Sequence, residues 1–521
     1  MTARDVAWVR SKDAPLLPPP AGTAGATGWL RQNLFGGIGS TITTVLMAAL
    51  LALIAWTILD WAVLDAVWTG QDREACAIAG AGACWPFVWA KFPQWVFGFY
   101  PIEERWRPAL VFLIGAVALV PMLMPSAPGK LWNALFLILA FPVIALILLT
   151  GGNFDFGLET YAAVMLLMLA ASVLLPLFST GLEEGIKGNT TGVLLALIGL
   201  LPVLLWILAE AAAALAGLVA LTGLEVLDMP VRALLSFRNA VNGHWATPFI
   251  QAGAFLLAAG FTLASLFGMD GRRAWGLVKG WLVAAAAVIA VFLLLDMDFG
   301  LQRVETSSWG GLLVTLVVSV TGIAASLPLG ILLALGRRSS MPVVRLFSVI
   351  FIELWRGVPL ITVLFMASVM LPLFLPEGAS FDKLLRALIG ISLFSSAYMA
   401  EVVRGGLQAI GKGQYEGAMA LGLSWWQMTA KIVLPQALKI SIPNIVSTFI
   451  GLFKDTTLVL IIGIYDFLGI ITAGTQDAKW ASEQTGNTGY FVAAIVYWAF
   501  CFGMSRYAIY TERRLSTGHK R

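Results

Sequence analysis

Three pairs of opposite charges interrupt the most apolar part of this chain: Glu353 with Arg356, Glu401 with Arg404, and Lys454 with Asp455. In the first two pairs the acid precedes the base by three residues, which on a helix puts both on one face and within reach of each other. Lys454 and Asp455 fall about eleven residues into an apolar run, ~17 Å along a helix axis and close to the middle of a bilayer. Ionisable groups at such depth are costly and mark substrate paths by default. Together they offer an anionic and a cationic partner for a zwitterion in a low-dielectric pathway. Gly357 and Pro359 follow the first pair directly and loosen its helix, freeing backbone groups of the kind that line transport sites. The competing reading of Glu353–Arg356 and Glu401–Arg404 is structural: ion pairs near the cytoplasmic interface, with arginines snorkelling to headgroups.

Other chemistries lack their residues. Two histidines, His244 and His519, and three cysteines give no metal-ligand cluster and no Cys/His nucleophile pair. No G-x-x-x-x-G-K-[ST] loop is present, so any ATP must sit on a partner chain. Cys76 and Cys84, in "REACAIAGAGACW", either form a disulfide in an oxidising compartment or remain free thiols in a small-residue loop.

The elements around these residues are membrane spans. The chain has 521 residues, 59% hydrophobic and 12% charged, about half the usual charged fraction. Its mean hydropathy is +0.87. Leu-, Ala-, Val- and Ile-rich runs without strict alternation predict an all-α polytopic membrane protein rather than a β-barrel. Twelve spans are expected, at roughly 40–63, 107–125, 131–150, 160–179, 191–215, 248–268, 276–296, 309–335, 347–375, 384–403, 443–468 and 490–510. Arginine and lysine before the first span, at Lys130, at Arg272 and Arg273, in "GRRSS" after the eighth, and at the C-terminus all fall on one side for that count. This predicts cytoplasmic termini: a hydrophilic tail over 1–33 containing "PLLPPP", and residues 517–521.

Between the last spans lies "QYEGAMALGLSWWQMTAKIVLP", residues Gln414–Pro435, too polar and interrupted to cross a bilayer. A helix is expected to end at Gly422, which supplies a left-handed C′ residue. A second should start at Ser424 with Gln427 in a capping box, and Pro435 should discourage its regular continuation. By geometry alone this helix–glycine–helix knob is an interfacial linker. Its spacing, however, resembles a known signature: Glu416-Gly417-Ala418, three residues, Gly422, nine residues, Ile432, one residue, Leu434-Pro435. This is similar to the E-A-A-x3-G-x9-I-x-L-P loop of permease subunits of bacterial ATP-binding-cassette importers, with Gly417 in place of the family alanine. "ELWRGVPLITVLF", "SSAYMAEVVRGGLQAI" and "FKDTTLVLIIG" resemble permeases for polar and general L-amino acids, and the N-terminal part resembles their extended members.

The resemblance implies a five-span type I importer core over 298–516, with a coupling loop over 404–439 that docks into the cytoplasmic ATPase. It further implies an ABC ATPase dimer carrying ATP and Mg, a homologous second permease in a heterodimer or a second copy of this chain, a periplasmic amino-acid-binding protein, and the bacterial inner membrane. No cofactor on this chain, no catalytic residue and no nucleic-acid partner are implied. The N-terminal extension is expected over 34–158, with a periplasmic loop over 64–106. "DFGL" occurs at Asp155–Leu158 and again at Asp298–Leu301, an even number of spans apart. Since the family passes from the third span almost directly into the core, residues 159–297 read as an inserted four-span block. An ion-coupled secondary transporter is the alternative; it would need no docking knob and would show two repeated halves.

Overall fold

The computed structural model of the protein describes residues 25–124, 127–154, 208–219, 228–241, 287–374 apart from 289 and 293, and 382–515. Among these residues the fold is all-α, with only isolated β-bridges. Two compact units emerge, one made of Met1–Ile102 with Thr306–Arg521, the other of Glu103–Glu305.

In the first unit, α1 (Gly25–Asn33) lies in what the sequence reads as a flexible tail. Helix α2 (Ile38–Leu59) is 22 residues long, ~33 Å at 1.5 Å per residue. None of its residues is buried, as befits a helix whose solvent is lipid. The loop that follows folds back. It contains α3 (Arg73–Cys76) and α4 (Trp85–Phe97), and its aromatic residues Phe87 and Trp95 join Phe467, Ile470, Ile471 and Trp480 in one core. Helix α4 is absent from the sequence reading, because a 13-residue Trp-rich segment inside a polar loop carries no clear period.

The second unit begins with α5 (Trp106–Leu123), α6 (Lys130–Leu135) and α7 (Phe141–Thr150), the last two joined by a π-helical turn. Helices α8 (Leu208–Val219) and α9 (Asp228–Val241) are tied by Arg238 and Glu210 at 3.4 Å. The chain around the suspected insertion meets itself. Gly152 bridges Asp298, the Asn153 amide donates to Met297 O at 3.3 Å, and the Val304 amide donates to Thr150 O at 2.9 Å.

The first unit then supplies the helices that hold the charges. Helix α10 (Gly311–Arg337) carries buried small residues at a four-residue period, Gly322, Ser326, Gly330 and Ala334. That stripe lets α13 (Lys383–Gln408) approach closely, the usual way helices pack where lipid is as apolar as leucine. Between them run α11 (Pro342–Gly357) and α12 (Leu360–Phe365), the latter continuing to Leu373 at an angle of 102°. The span expected at 347–375 is therefore bent at Gly357–Pro359, where the sequence places a loosening of the helix. Pro359 has no amide hydrogen and forces Val358 into an extended conformation (φ −113°, ψ 136°), so the helix stops at Gly357. Beyond the knob, α16 (Leu434–Asp455) passes through a 3-10 turn into α17 (Phe467–Thr475), and α18 (Glu483–Leu515) closes the described chain.

Among the described residues seven helices are long and apolar enough to cross a membrane, eight if the bent pair counts as one span. These correspond to the eight spans expected outside 159–297. The spans expected at 160–179 and 248–268, and most of 191–215 and 276–296, lie outside the described residues.

Candidate coupling and transport site

The knob is built as its local sequence dictates. Helix α14 (Lys412–Ala420) ends where Gly422 takes φ +69°, a left-handed value. Its amide donates to Met419 O at 2.9 Å. Ser424 then caps α15 (Trp425–Met428) in a full capping box. The Gln427 amide donates to Ser424 Oγ, and the Ser424 amide donates to Gln427 Oε1 at 3.1 Å. The second helix does not continue regularly up to Pro435, although the chain stays helical through it. The path widens into a π-helical turn over Thr429–Val433, the Leu434 amide donates to Thr429 O, and α16 continues with Pro435 in its first turn. A wider turn makes room for the ring, and the first turn of a helix tolerates the missing donor.

The signature residues divide into those that hold the knob and those that it presents. Ala418 is buried with Met428 and Val433 among Ala334, Ile352, Met399 and Leu407, while Ile432 and Leu434 pack against the edge of that core. Glu416 and Gly417 are exposed, and a Cβ at Gly417 would meet nothing within 4 Å. The groove beside Glu416 has a volume of about 410 Å³ and is lined by residues including Arg338, Leu407, Lys412 and Tyr415. Helix α16 anchors the knob from the other side. A Cβ at Gly406 would lie 2.5 Å from Ala437 O, so only glycine permits α13 and α16 to cross there.

Four of the six candidate path residues meet in one cluster near the ends of α10, α11 and α13, where one expected pair forms, Glu401 with Arg404, and the other does not. Glu353 and Arg356 do not pair with each other. Glu353 pairs with Arg337 at 3.0 Å, while Arg356 lies 3.9 Å from Glu401 and over the Tyr398 ring. Glu401 pairs with Arg404 at 2.6 Å and also receives Arg337 at 2.6 Å. The crossing of α10 over α11 and α13 brings in Arg337 from sixteen residues before Glu353, a relation that no helical spacing contains. The "GRRSS" turn reads in sequence only as an orientation signal, and Arg337 is the residue that the sequence reading missed.

Lys454 and Asp455 stand apart from this cluster. They end α16, exposed, where the helix tightens to 3-10. Near them in sequence, the buried Asp466 caps α17 by accepting from the Leu468 and Gly469 amides, and it accepts the Tyr497 hydroxyl at 3.0 Å.

On the other face of the first unit, Cys76 and Cys84 are joined in a disulfide with Cα atoms 5.6 Å apart. Both sulfurs sit in the aromatic core described above. Three polar contacts fasten this cap: Lys91 to Asp477 at 2.5 Å, the Cys84 amide to Thr488 Oγ1 at 2.8 Å, and the Arg73 amide to Lys479 O at 2.7 Å. The Lys91 ammonium, followed by the Lys479 amide, holds the Asp477 carboxyl below the usual carboxylate range. Among the described residues no cluster of His, Cys, Asp and Glu could hold a metal ion.

Comparison with known proteins gives this arrangement its context. Residues 326–517 match the family described as binding-protein-dependent transport system inner membrane component. The inner membrane amino-acid ABC transporter permease protein YhdY of Escherichia coli is 36% identical over 504 residues, covering 97% of this chain and 97% of that protein. The glutamate/glutamine/aspartate/asparagine transport system permease protein BztC of Rhodobacter capsulatus is 35% identical over 526 residues, covering 99% of this chain and all of that protein (100%). A crystal structure of an amino acid ABC transporter with histidines aligns at a TM-score of 0.35 with 27% identity, over 39% of this chain and 92% of that one. With the match to the full-length relatives and the multi-pass helical fold, the chain belongs to the inner-membrane amino-acid ABC transporter permeases.

Proposed function

We propose that this chain is the membrane-spanning subunit of an ATP-driven importer that takes L-amino acids from a periplasmic binding protein and releases them into the cytoplasm by alternating access. Both termini and the knob face the cytoplasm. An ATPase dimer binds ATP and Mg and docks on the knob, and a homologous second permease completes the path as a heterodimer. The observation that carries this reading is the division of the signature within the knob. Ala418 is buried against the helices that must move, while Glu416 is exposed toward the side where an ATPase would sit.

The remaining assignments are of the same kind. Glu416, Gly417, Ala418, Gly422, Ile432, Leu434 and Pro435 form the coupling element. Lys454 and Asp455, exposed at a break in α16, are the best placed of the charges to meet a zwitterion, since the Glu353–Arg356–Glu401–Arg404 group is consumed in mutual pairing. Residues 159–297 are an accessory insertion, an assignment supported by the backbone bonds that hold the chain before and after it together.

The test is affinity purification of the intact chain from native membranes. An ATPase and a second permease should copurify, and Glu416→Arg should release the ATPase while the permease pair survives. Recovery of the chain alone, in a form that transports, would favour the ion-coupled alternative.

A further inference from the structure

We propose that Arg338 is the strut that passes movement of the coupling helix α14 into the transmembrane core, acting through the hydroxyl and ring of Tyr415. The inference rests on the importer reading above.

Arg337 closes α10 and Arg338 follows as its C-cap, and successive residues at a helix end point about 100° apart. Their guanidinium groups accordingly go to different places. Arg337 enters the Glu353 and Glu401 cluster of α11 and α13. Arg338 turns toward the knob. Its Nη1 donates to Tyr415 Oη at 3.2 Å and to Leu407 O at 3.2 Å, and its guanidinium carbon stands 5.7 Å from the centre of the Tyr415 ring. Leu407 O belongs to the last turn of α13, whose carbonyls have no partner within the helix. One planar side chain thus ties the ends of α10 and α13 to α14, using a donor fork and a stacking face that lysine does not have.

Helix α14 has few other ties. Glycines bound it, Gly411 before and Gly422 after, its nine residues bury only Ala418, and at the surface its Gln414 Oε1 accepts Gln436 Nε2 of α16 at 3.1 Å. A hydrophobic plug transmits a push but permits rotation, whereas a stacked ring with a directed hydrogen bond fixes the azimuth of α14 relative to α10. From α10 the next residue, Arg337, leads to α11, directly before the break at Gly357–Pro359. A displacement of Tyr415 therefore has a continuous path of directed contacts to the bent helix. Arg338 is a positioning residue on this account, for it touches neither nucleotide nor amino acid.

The experiment uses the complete transporter in proteoliposomes, with its ATPase and binding protein, and reads amino acids imported per ATP hydrolysed. Arg338→Ala should assemble and hydrolyse ATP at the basal rate but import about tenfold fewer amino acids per ATP, within the usual range of coupling free energies. Tyr415→Phe keeps the stacking face and removes the hydroxyl, so its loss should be smaller, about threefold on the same scale. Arg338→Lys should fall between wild type and alanine. An unchanged ratio in Arg338→Ala, or in Tyr415→Phe should the alanine variant fail to assemble, overturns the strut. A wild-type complex with no ATP-driven uptake would instead overturn the importer reading, so the two failures are distinguishable.

Discussion

The guanidinium of Arg337 lies 2.6 Å from the carboxylate of Glu401, and Glu401 is the only acid among the described residues that pairs with three arginines. Its side chain is 15% exposed, against 56% for Glu353, the other acid bound by Arg337. Removing the shared anion leaves Arg337, Arg356 and Arg404 facing one another in a half-buried site. Glu401→Gln should therefore lower stability by about 2 kcal/mol, less than the loss of a fully buried partner because the arginines keep some solvent. Glu353→Gln should cost less than about 1 kcal/mol, as for exposed pairs. Thermal unfolding of the purified variants in one detergent compares the two. Equal losses would show that burial does not set the strength of this cluster.

The two glycines of the knob should behave in opposite ways. Gly417 has open space where a Cβ would be and a helical neighbourhood, so Gly417→Ala should stabilise α14 by ~1 kcal/mol and leave transport intact. Gly422 sits at φ +69°, where a β-branched residue is strained, so Gly422→Val should tilt the knob and abolish amino-acid-stimulated ATP hydrolysis without impairing membrane insertion. Stimulated hydrolysis by the assembled complex at the wild-type level in Gly422→Val would remove the hinge from the account.

The disulfide-bonded cap should come loose in acid. Because the Asp477 carboxyl is held low by Lys91, the native state keeps it charged at pH values where the unfolded chain would protonate it. Its contribution is complete above the ordinary carboxylate pKa of about 3.9 and is lost as pH falls through the lower native value. Hydrogen exchange of residues 73–98 should be flat from neutral pH down to about 4 once intrinsic rates are corrected, and should rise below it. Asp477→Asn should show the faster exchange already at neutral pH. A loss of protection centred near neutral pH in the wild type would point to another group.

Deletion of residues 159–301, joining Leu158 to Gln302, should leave transport near the parental level at matched membrane abundance. The described residues kept on either side already meet: the Val304 amide donates to Thr150 O at 2.9 Å, and Gln302 O accepts Arg107 Nη1 at 2.7 Å. Labelled amino-acid uptake in cells decides it. A well-inserted deletion protein that binds its ATPase yet does not transport would show that the block works in the path.

What the sequence displays and what it hides follow one rule here. Features set within four residues are readable: the Ser424–Gln427 capping box, the left-handed Gly422, the Glu401–Arg404 pair and the break at Gly357–Pro359 all appear where local chemistry puts them. Partners chosen by helix crossings are not. Glu353 lies three residues from Arg356, yet it takes Arg337, because the crossing of α10 and α11 brings that guanidinium to 3.0 Å. Arg338 reads as a topology marker until Tyr415 is found beside it. The amphipathic signal of α4 is weak because its buried face is aromatic and its core is shared with α17 and α18, nearly 400 residues away. Pro435 is of the readable kind: the helix before it does not continue regularly but widens into a π-helical turn that absorbs the ring.

The most direct test is ATP-dependent uptake by purified permease pair, ATPase and binding protein in proteoliposomes. The account predicts that labelled L-amino acid accumulates against its gradient when ATP and Mg are supplied on the knob side, that it does not when the ATP analogue cannot be hydrolysed, and that Gly422→Val abolishes accumulation while the complex stays assembled. Accumulation driven by an imposed ion gradient, without ATP and indifferent to Gly422→Val, would contradict it.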